Sequence, residues 1–312
     1  MCSRNLSWYG QKVERIEGDV ALLNVNLPTF KLMPCGKNEY IRMVVREKRF
    51  DKPAVPVATV SRDYTLIQHG WFLDKVVDSL KDMGLSIDGL HGTLDISEYG
   101  ERIQILLQMP VPVYDPGDGH PLAMMMHIYN SVDKTCALEI GLRWIRVICN
   151  NALVIDRKSD FKRAHIGKCI DEVMILEQIK WLLNSASFEA KTYKKWLQTS
   201  VDIKEVQKWA NTTLANKWGQ QLAKRTMHIA EYGCDIQRNP VLWQFAGIKQ
   251  DDFETVPGAC APITNVYHLS QVLSWLASQR NTVDGQMKKL NDIPKLIEPF
   301  LPKNKSLPEL FN

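Results

Sequence analysis

Two hydrophobic periods divide the chain. Through residues 102–109, 122–128 and 138–144, apolar and other side chains alternate. Ile103, Ile105, Leu107 and Met109 share one strand face, as do Leu122, Met124, Met126 and Ile128, and Leu138, Ile140, Leu142 and Trp144. A two-residue period marks half-buried antiparallel strands, because successive side chains point to opposite sides of a pleated sheet. Turn chemistry separates the segments: Glu98-Tyr99-Gly100-Glu101, then Asp115-Pro116-Gly117-Asp118-Gly119, then Asp133-Lys134. Upstream, the β-branched stretch 54–61 predicts a further strand, and short strands are expected at 20–26 and 40–45, around the breakers Pro28 and Pro34. Between them and the meander, Phe72, Val76, Leu80 and Met83 recur at helical spacing, and Gly84 follows where a left-handed cap ends a helix. The helix over 68–83 is expected to cover one face of the sheet.

From residue 166 onward the period is helical. Ile166, Ile170, Val173, Met174, Trp181 and Leu182 predict one amphipathic helix. Asp202 and Glu205 form a capping pair that opens a long helix through Val206, Ala210, Leu214, Trp218 and Leu222. Thr264 or Asn265 caps another, carrying Val266, Leu269, Leu273 and Leu276. Residues 238–263 are expected to be loop, and the tail after Pro294 to dock loosely or fray. The predicted fold class is α+β. It comprises a mainly antiparallel sheet with a packed helix in residues 1–165 and a mostly helical region over 166–312.

Composition narrows the class without naming a reaction. An apolar fraction of 45% and a charged fraction of 24% exclude a disordered or collagen-like chain. No window reaches the ~18 apolar residues of a membrane span, and the first residues lack the apolar run of a secretory leader. A cytoplasmic protein with no membrane partner is expected. The 7 cysteines are scattered and odd in number, which predicts reduced thiols rather than a disulfide framework. A nucleophile elbow, a phosphate loop, a dinucleotide fingerprint and the zinc helix motif are all missing from the sequence. The expectation is therefore a protein without cofactor or metal that is not an enzyme. The alternative, a metal-dependent nuclease, rests on Asp115, Asp118 and His120, which supply oxygen and nitrogen ligands but also compose a hairpin loop.

Charge changes the picture by segment. Residues 51–133 are net −7 and residues 134–225 net +8, within a chain of +4 overall. A basic middle fits a polyanion partner, although lysine-rich helices also serve simply as solvated faces. Its most concentrated part runs from Arg143 to Arg163, where Arg143, Arg146, Arg157, Lys158, Lys162 and Arg163 are interleaved with Trp144 and Phe161. Arginine and lysine contact phosphates and aromatics stack on bases, so these six are the candidate nucleic-acid-binding residues. Trp144 shares its strand face with core positions, and Arg143 and Arg146, three apart, point to opposite faces. The candidate surface therefore centres on 157–163.

The same stretch carries a family likeness. Arg146, Cys149, Asn151, Leu153 and Val154 stand at the spacing R-x-x-C-x-N-G-L-V, with Ala152 in place of the glycine. Leu6-Ser7-Trp8-Tyr9-Gly10, the segment Ser61 to Leu66 with its Tyr64, and Asn265-Val266-Tyr267-His268-Leu269 follow in matching order. Together they resemble the phage- and plasmid-associated domain of unknown function 932 family. The resemblance implies a protein of a mobile element and supplies no catalytic residues; Arg146, Cys149 and Asn151 are the matching positions. Two functions are expected from it and from the charge. One is binding or annealing of single-stranded DNA in replication or recombination. The other is an anti-defence role, in which the chain binds and blocks a host defence protein. Either is compatible with a homo-oligomer.

Overall fold

The computed structural model describes residues 6–49, 52–111, 113–117, 121–146, 152–153, 161–166, 171–235, 254–256 and 261–302. Its first half runs β1 (Ser7–Trp8), β2 (Gln11–Asp19), α1 (Val20–Val25), β3 (Phe30–Cys35), β4 (Asn38–Arg46), β5 (Val55–Ser61), α2 (His69–Asp82), β6 (His91–Ser97), β7 (Arg102–Gln108), β8 (Leu122–Ser131), β9 (Leu138–Arg146), β10 (Ala152–Leu153) and β11 (Phe161–Arg163). An eight-stranded sheet has the order β1-β2-β6-β7-β8-β9-β10, with β11 also on β9, and every pairing is antiparallel. The strands β3-β4-β5 form a separate three-stranded sheet.

Register turns the alternation of the sequence into rows of contacts. Leu94 faces Ile105, Ile105 faces Ile128, and Ile128 faces Ile140, while Leu107, Met126 and Leu142 form the next row. These residues share one hydrophobic core with Phe72, Leu73, Val76 and Leu80 of α2. The antiparallel meander and its helix are thus as the periodicity predicts. The opposite face departs from expectation: Gln104, His127, Tyr129, Glu139 and Arg143 are buried as well. Trp8, Tyr129 and Val283 form a small cluster on that side, so β1 and a distant helical residue close over polar positions that alternation alone assigns to solvent.

Two early segments differ from the sequence reading. Residues 20–25 are helical rather than extended, because the Asp19 side chain accepts from the backbone N–H of Leu22 at 2.8 Å and caps the turn. Strand β2 has charges on both faces and no apolar period, and so escapes the pattern. It is held instead by cross-strand partners, with Arg15 facing Asp95 of β6 in a two-point ion pair at 2.7 Å.

The second half runs α3 (Glu172–Gln198), α4 (Ile203–Trp209), a π-helical turn (Ala210–Leu214), α5 (Ala215–Trp218), α6 (Gln220–Tyr232), β12 (Cys234–Asp235), β13 (Glu254–Thr255), α7 (Val266–Ser278), α8 (Val283–Ile297) and a 3-10 turn (Glu298–Phe300). Helix α7 is central: its buried residues lie on every side, including Ser270, Gln271 and Ser274, and it packs against α3, α6 and α8. Asn265 caps it, its side chain accepting from the His268 N–H at 2.9 Å. Asn265→Ala is expected to cost about 1 kcal/mol, read as a lower urea midpoint with an unchanged slope.

Three helical expectations need correction. The first helix begins at Glu172, capped by Asp171, and buries Ile175, Ile179, Leu182, Tyr193 and Trp196. Ile166 and Val173 are 66% and 67% exposed, and Ile170 lies outside the described residues. The apolar period taken from residue 166 is out of phase because Ile166 forms a β-bridge with Tyr64 and is not helical. The long helix from Asp202 is interrupted at Gly219, whose φ of 94° lies where a side chain is strained. Its expected core positions Val206, Ala210, Leu214, Trp218 and Leu222 are nevertheless all buried. After Pro294 the helix continues to Ile297 and buries Leu296 and Ile297, and a 3-10 turn sets the Phe300 ring against Trp209 at 5.3 Å, while 303–312 lie outside the described residues. Within the expected loop 238–263, Glu254–Thr255 instead pairs with β12 and Val256 is buried, while 238–253 and 257–260 lie outside the described residues. Among the described residues no helix is long and apolar enough to cross a membrane.

Candidate nucleic-acid interface

The covered polar face of the sheet holds a chain of charges. Pairing of β8 with β9 sets Tyr129 opposite Glu139 and His127 opposite Gly141, and pairing of β11 with β9 sets Lys162 opposite Glu139. The Arg143 Nε donates to His127 Nδ1 at 3.1 Å, and His127 Nε2 lies 3.3 Å from Glu139 Oε1. Arginine has no acceptor, so Nδ1 must be the accepting nitrogen and the His127 proton sits on Nε2, donated to Glu139. Lys162 Nζ closes the chain at 2.9 Å from Glu139 Oε2. Burial, reinforced by the Arg143 guanidinium, pushes the His127 imidazole down to about 4. Burial alone would raise the Glu139 carboxyl, but His127 and Lys162 hold it well below the ordinary carboxylate range.

This arrangement relocates the sequence candidates. Arg143 is 2% exposed, lies with its guanidinium carbon 5.5 Å from the Tyr129 ring centroid, and keeps an Nη2 without a hydrogen-bond partner. It belongs to the interior and offers no surface contact. Lys162 is 57% exposed although tied to Glu139, and Arg163 is exposed beside it. Arg146 ends β9 opposite Leu122. Cys149, Asn151, Arg157 and Lys158 lie outside the described residues, as do Asp118 and His120. Asp115 is engaged in its own turn, its Oδ1 accepting from the Gly117 N–H at 2.7 Å. Cys35 and Cys136 are free thiols, the Cys234 sulfur lies 3.5 Å from His228 Nε2, and among the described residues no three His, Cys, Asp or Glu side chains converge as metal ligands.

A different group of residues forms an open cleft at the end of β9. Tyr114 bridges Leu122 with two backbone hydrogen bonds of 2.9 and 2.8 Å, and Leu122 in turn pairs with Arg146. Tyr114, Leu122 and Arg146 thus lie side by side on three neighbouring chain segments. Edge-on ring contacts continue inward from Tyr114 to Trp144 at 5.9 Å, from Trp144 to Tyr193 at 6.3 Å and from Tyr193 to Trp196 at 5.7 Å. That aromatic series fixes α3 against the strand end and presents Lys191 and Lys194, three residues apart and therefore on one helix face. A cleft of about 420 Å³ is lined by Tyr114, Asp115, Pro116, Gly117, Lys191 and Lys194. Among the described residues neither lysine lies within 4.0 Å of a carboxylate. Two ammonium groups with no such partner among the described residues, beside a half-buried tyrosine, can hold a phosphodiester and stack a base. In the sequence, the signal for this wall is the run Lys191-Thr192-Tyr193-Lys194-Lys195-Trp196, with bases interleaved with aromatics.

The elements around the cleft carry the sequence likeness. Tyr64 follows β5 and is buried, with its ring stacked on His165 at 5.4 Å and its hydroxyl 3.2 Å from His165 Nδ1, so it anchors the exit from β11. Ala152 and Leu153 pair antiparallel with Ile145 and Trp144 of β9. No curated protein and no solved structure matches the chain. A family model described as Domain of unknown function (DUF932) matches residues 56–259, from β5 through α2, the meander, both short strands on β9 and the helices to beyond β13. The pieces at Leu6–Gly10 and Asn265–Leu269 fall outside that match, while Tyr64 and Arg146 to Val154 fall within it, and on that match the chain belongs to the DUF932 family.

Proposed function

We propose that this chain is a non-enzymatic nucleic-acid-binding protein of a phage or other mobile element. It acts in the cytoplasm of the bacterial host and holds single-stranded DNA for replication or recombination. The observation that supports this reading best is the pair Lys191 and Lys194, which among the described residues have no carboxylate within 4.0 Å and line one cleft with Tyr114 at the end of β9. The charges neutralise backbone phosphates whatever the base, and the tyrosine ring offers a stacking surface that every base can use. Single strands suit the site better than a duplex, since a paired base presents no free face to Tyr114. Lys162 and Arg163 extend the basic surface along the β9 edge.

The test is a salt titration of binding to a labelled single-stranded oligonucleotide. Each neutralised phosphate contributes a log–log slope of roughly −0.7, so the double variant Lys191→Glu, Lys194→Glu is expected to flatten the slope by roughly 1.4. Tyr114→Ala should weaken binding by about 1–3 kcal/mol with the slope retained, because stacking releases no counterions. Absence of measurable affinity at ~50 mM salt, where phosphate contacts are strongest, overturns the proposal.

A further inference from the structure

Linear charge hides a second basic cluster. Residues 226–312 are net −1 as a segment, yet α8 carries Lys288 and Lys289, Lys217 of α5 reaches Asp292 of α8, and Arg280 at the turn from α7 is held to α8 by the Gln286 amide, which donates to its carbonyl at 2.8 Å. Lys289 Nζ lies 4.9 Å from the centroid of the Trp218 ring. The Trp218 indole N–H donates to Asp292 Oδ2 at 3.1 Å, and Lys217 Nζ stands 3.6 Å from Asp292 Oδ1. Both oxygens of Asp292 are therefore engaged. Burial lowers the pKa of Lys289; Asp292 opposes the shift, while Arg280, Lys288 and Lys217 add to it. Around Lys289, three other cations are thus set against one carboxylate, Asp292. Gathering like charges works against the folded state unless something neutralises them, and Asp292 offsets only part of the charge gathered here.

We propose that Lys217, Arg280, Lys288 and Lys289 form a second phosphodiester contact for the nucleic acid. The inference rests on the single-strand reading above and deepens it. Lysines predominate here, and they act as compact point charges rather than planar forks, which suits a flexible backbone more than one oriented phosphate. Arg280 and Lys288 are exposed, so a strand can lie across them. Trp218 is buried beneath the Lys289 stem, so this contact neutralises phosphate without stacking a base, unlike the Tyr114 cleft. The two regions together give one stacking contact and two electrostatic ones, the combination that sequence-tolerant binding requires.

Exposed positions carry the test, because Lys289 also packs on Trp218. The double variant Arg280→Glu, Lys288→Glu is measured beside Lys191→Glu, Lys194→Glu and wild type on a ~30-nucleotide single strand across a salt series. The cluster variant is expected to bind more weakly and to flatten the slope by roughly 1.4, and the two double variants combined by roughly 2.8. Its urea midpoint without DNA should stay close to that of wild type, since both positions are exposed. If wild type binds and the cleft variant weakens binding while the cluster variant keeps wild-type affinity and slope, the second contact is refuted and the cleft stands. If wild type fails to bind, both readings fall. A lowered midpoint for the cluster variant would show that these cations support the fold, and would also overturn the inference.

Discussion

Asp235→Ala is expected to destabilise the protein by about 3–5 kcal/mol. The carboxylate is 1% exposed and accepts from the Arg225 Nε at 3.0 Å, from a second Arg225 nitrogen, and from the Trp275 indole N–H at 2.7 Å. Alanine removes the acceptor and leaves a largely buried guanidinium and an indole N–H without partners, which costs more than the pair contributes when intact. Asp235→Asn keeps one acceptor oxygen and should lose less. Urea unfolding measures both, with the midpoint moving and the slope constant. A loss below ~1 kcal/mol for the alanine variant, the range of an exposed pair, would contradict this account of the site. The effect reaches beyond one contact, because Asp235 ties β12 to α6 through Arg225 and to α7 through Trp275.

Acidification should weaken the fold before any carboxylate titrates. His69 and His127 are both completely buried, and burial is the main reason each imidazole is pushed down to about 4. His69 is fixed in the same tautomer as His127: its Nε2 lies 3.0 Å from the Gly100 carbonyl oxygen and donates to it, while its Nδ1 accepts from the Asn130 amide at 2.9 Å. An unfolded chain takes up protons at these histidines near pH 6.5, whereas the folded protein does so only near pH 4. The unfolded state therefore binds more protons between those values. Stability is fully present above ~6.5, falls as the pH drops and is lost by ~4, by about 3 kcal/mol for each histidine. Glu139, held low by its partners, adds its own loss from the ordinary carboxylate range downward. His69→Asn or His127→Gln should each reduce the slope in the upper window, to which His165 and His228, also lowered by burial, contribute, at a cost in stability at neutral pH. Urea midpoints at pH 7, 6, 5 and 4 distinguish these outcomes. A flat profile over that window would show that the imidazoles are not neutral in the folded state.

What the sequence made legible was whatever local period could express. Ile103 to Met109, Leu122 to Ile128 and Leu138 to Trp144 alternate strictly, and they are strands facing one core. Asn265 and Asp202 are good caps by type, and both cap helices. The period also misled. Arg143 alternates with core residues and so reads as facing solvent, but Trp8 and Val283, remote in sequence, belong to the cluster that closes over its face of the sheet. Alternation tells which face a side chain takes and not whether that face is covered. Lys191 and Lys194 had the right composition, but their significance depends on Tyr114, which reaches them only through the aromatic series from Trp144 to Tyr193. The cluster around Lys289 was invisible for a related reason, since Lys217 and Arg280 belong to segments whose charges were counted apart.

The pairing of β1 has a consequence for the order of events on the ribosome. Ser7 donates its N–H to the Asn281 carbonyl at 2.9 Å and bridges Thr282 in parallel, while the Trp8 carbonyl accepts from Arg102. Strand β1 can pair with β2 soon after both are made, but its contacts with Asn281 and Thr282 wait until those residues are synthesised. At ~5–20 residues per second the delay is on the order of tens of seconds, long enough for the consecutive hairpins from β6 to β9 to form first. During that interval Tyr129, His127 and Arg143 lack the part of their cover that Val283 later supplies. The nascent sheet thus exposes a polar, charge-bearing surface rather than a greasy one, which disfavours premature association between neighbouring chains on the same message.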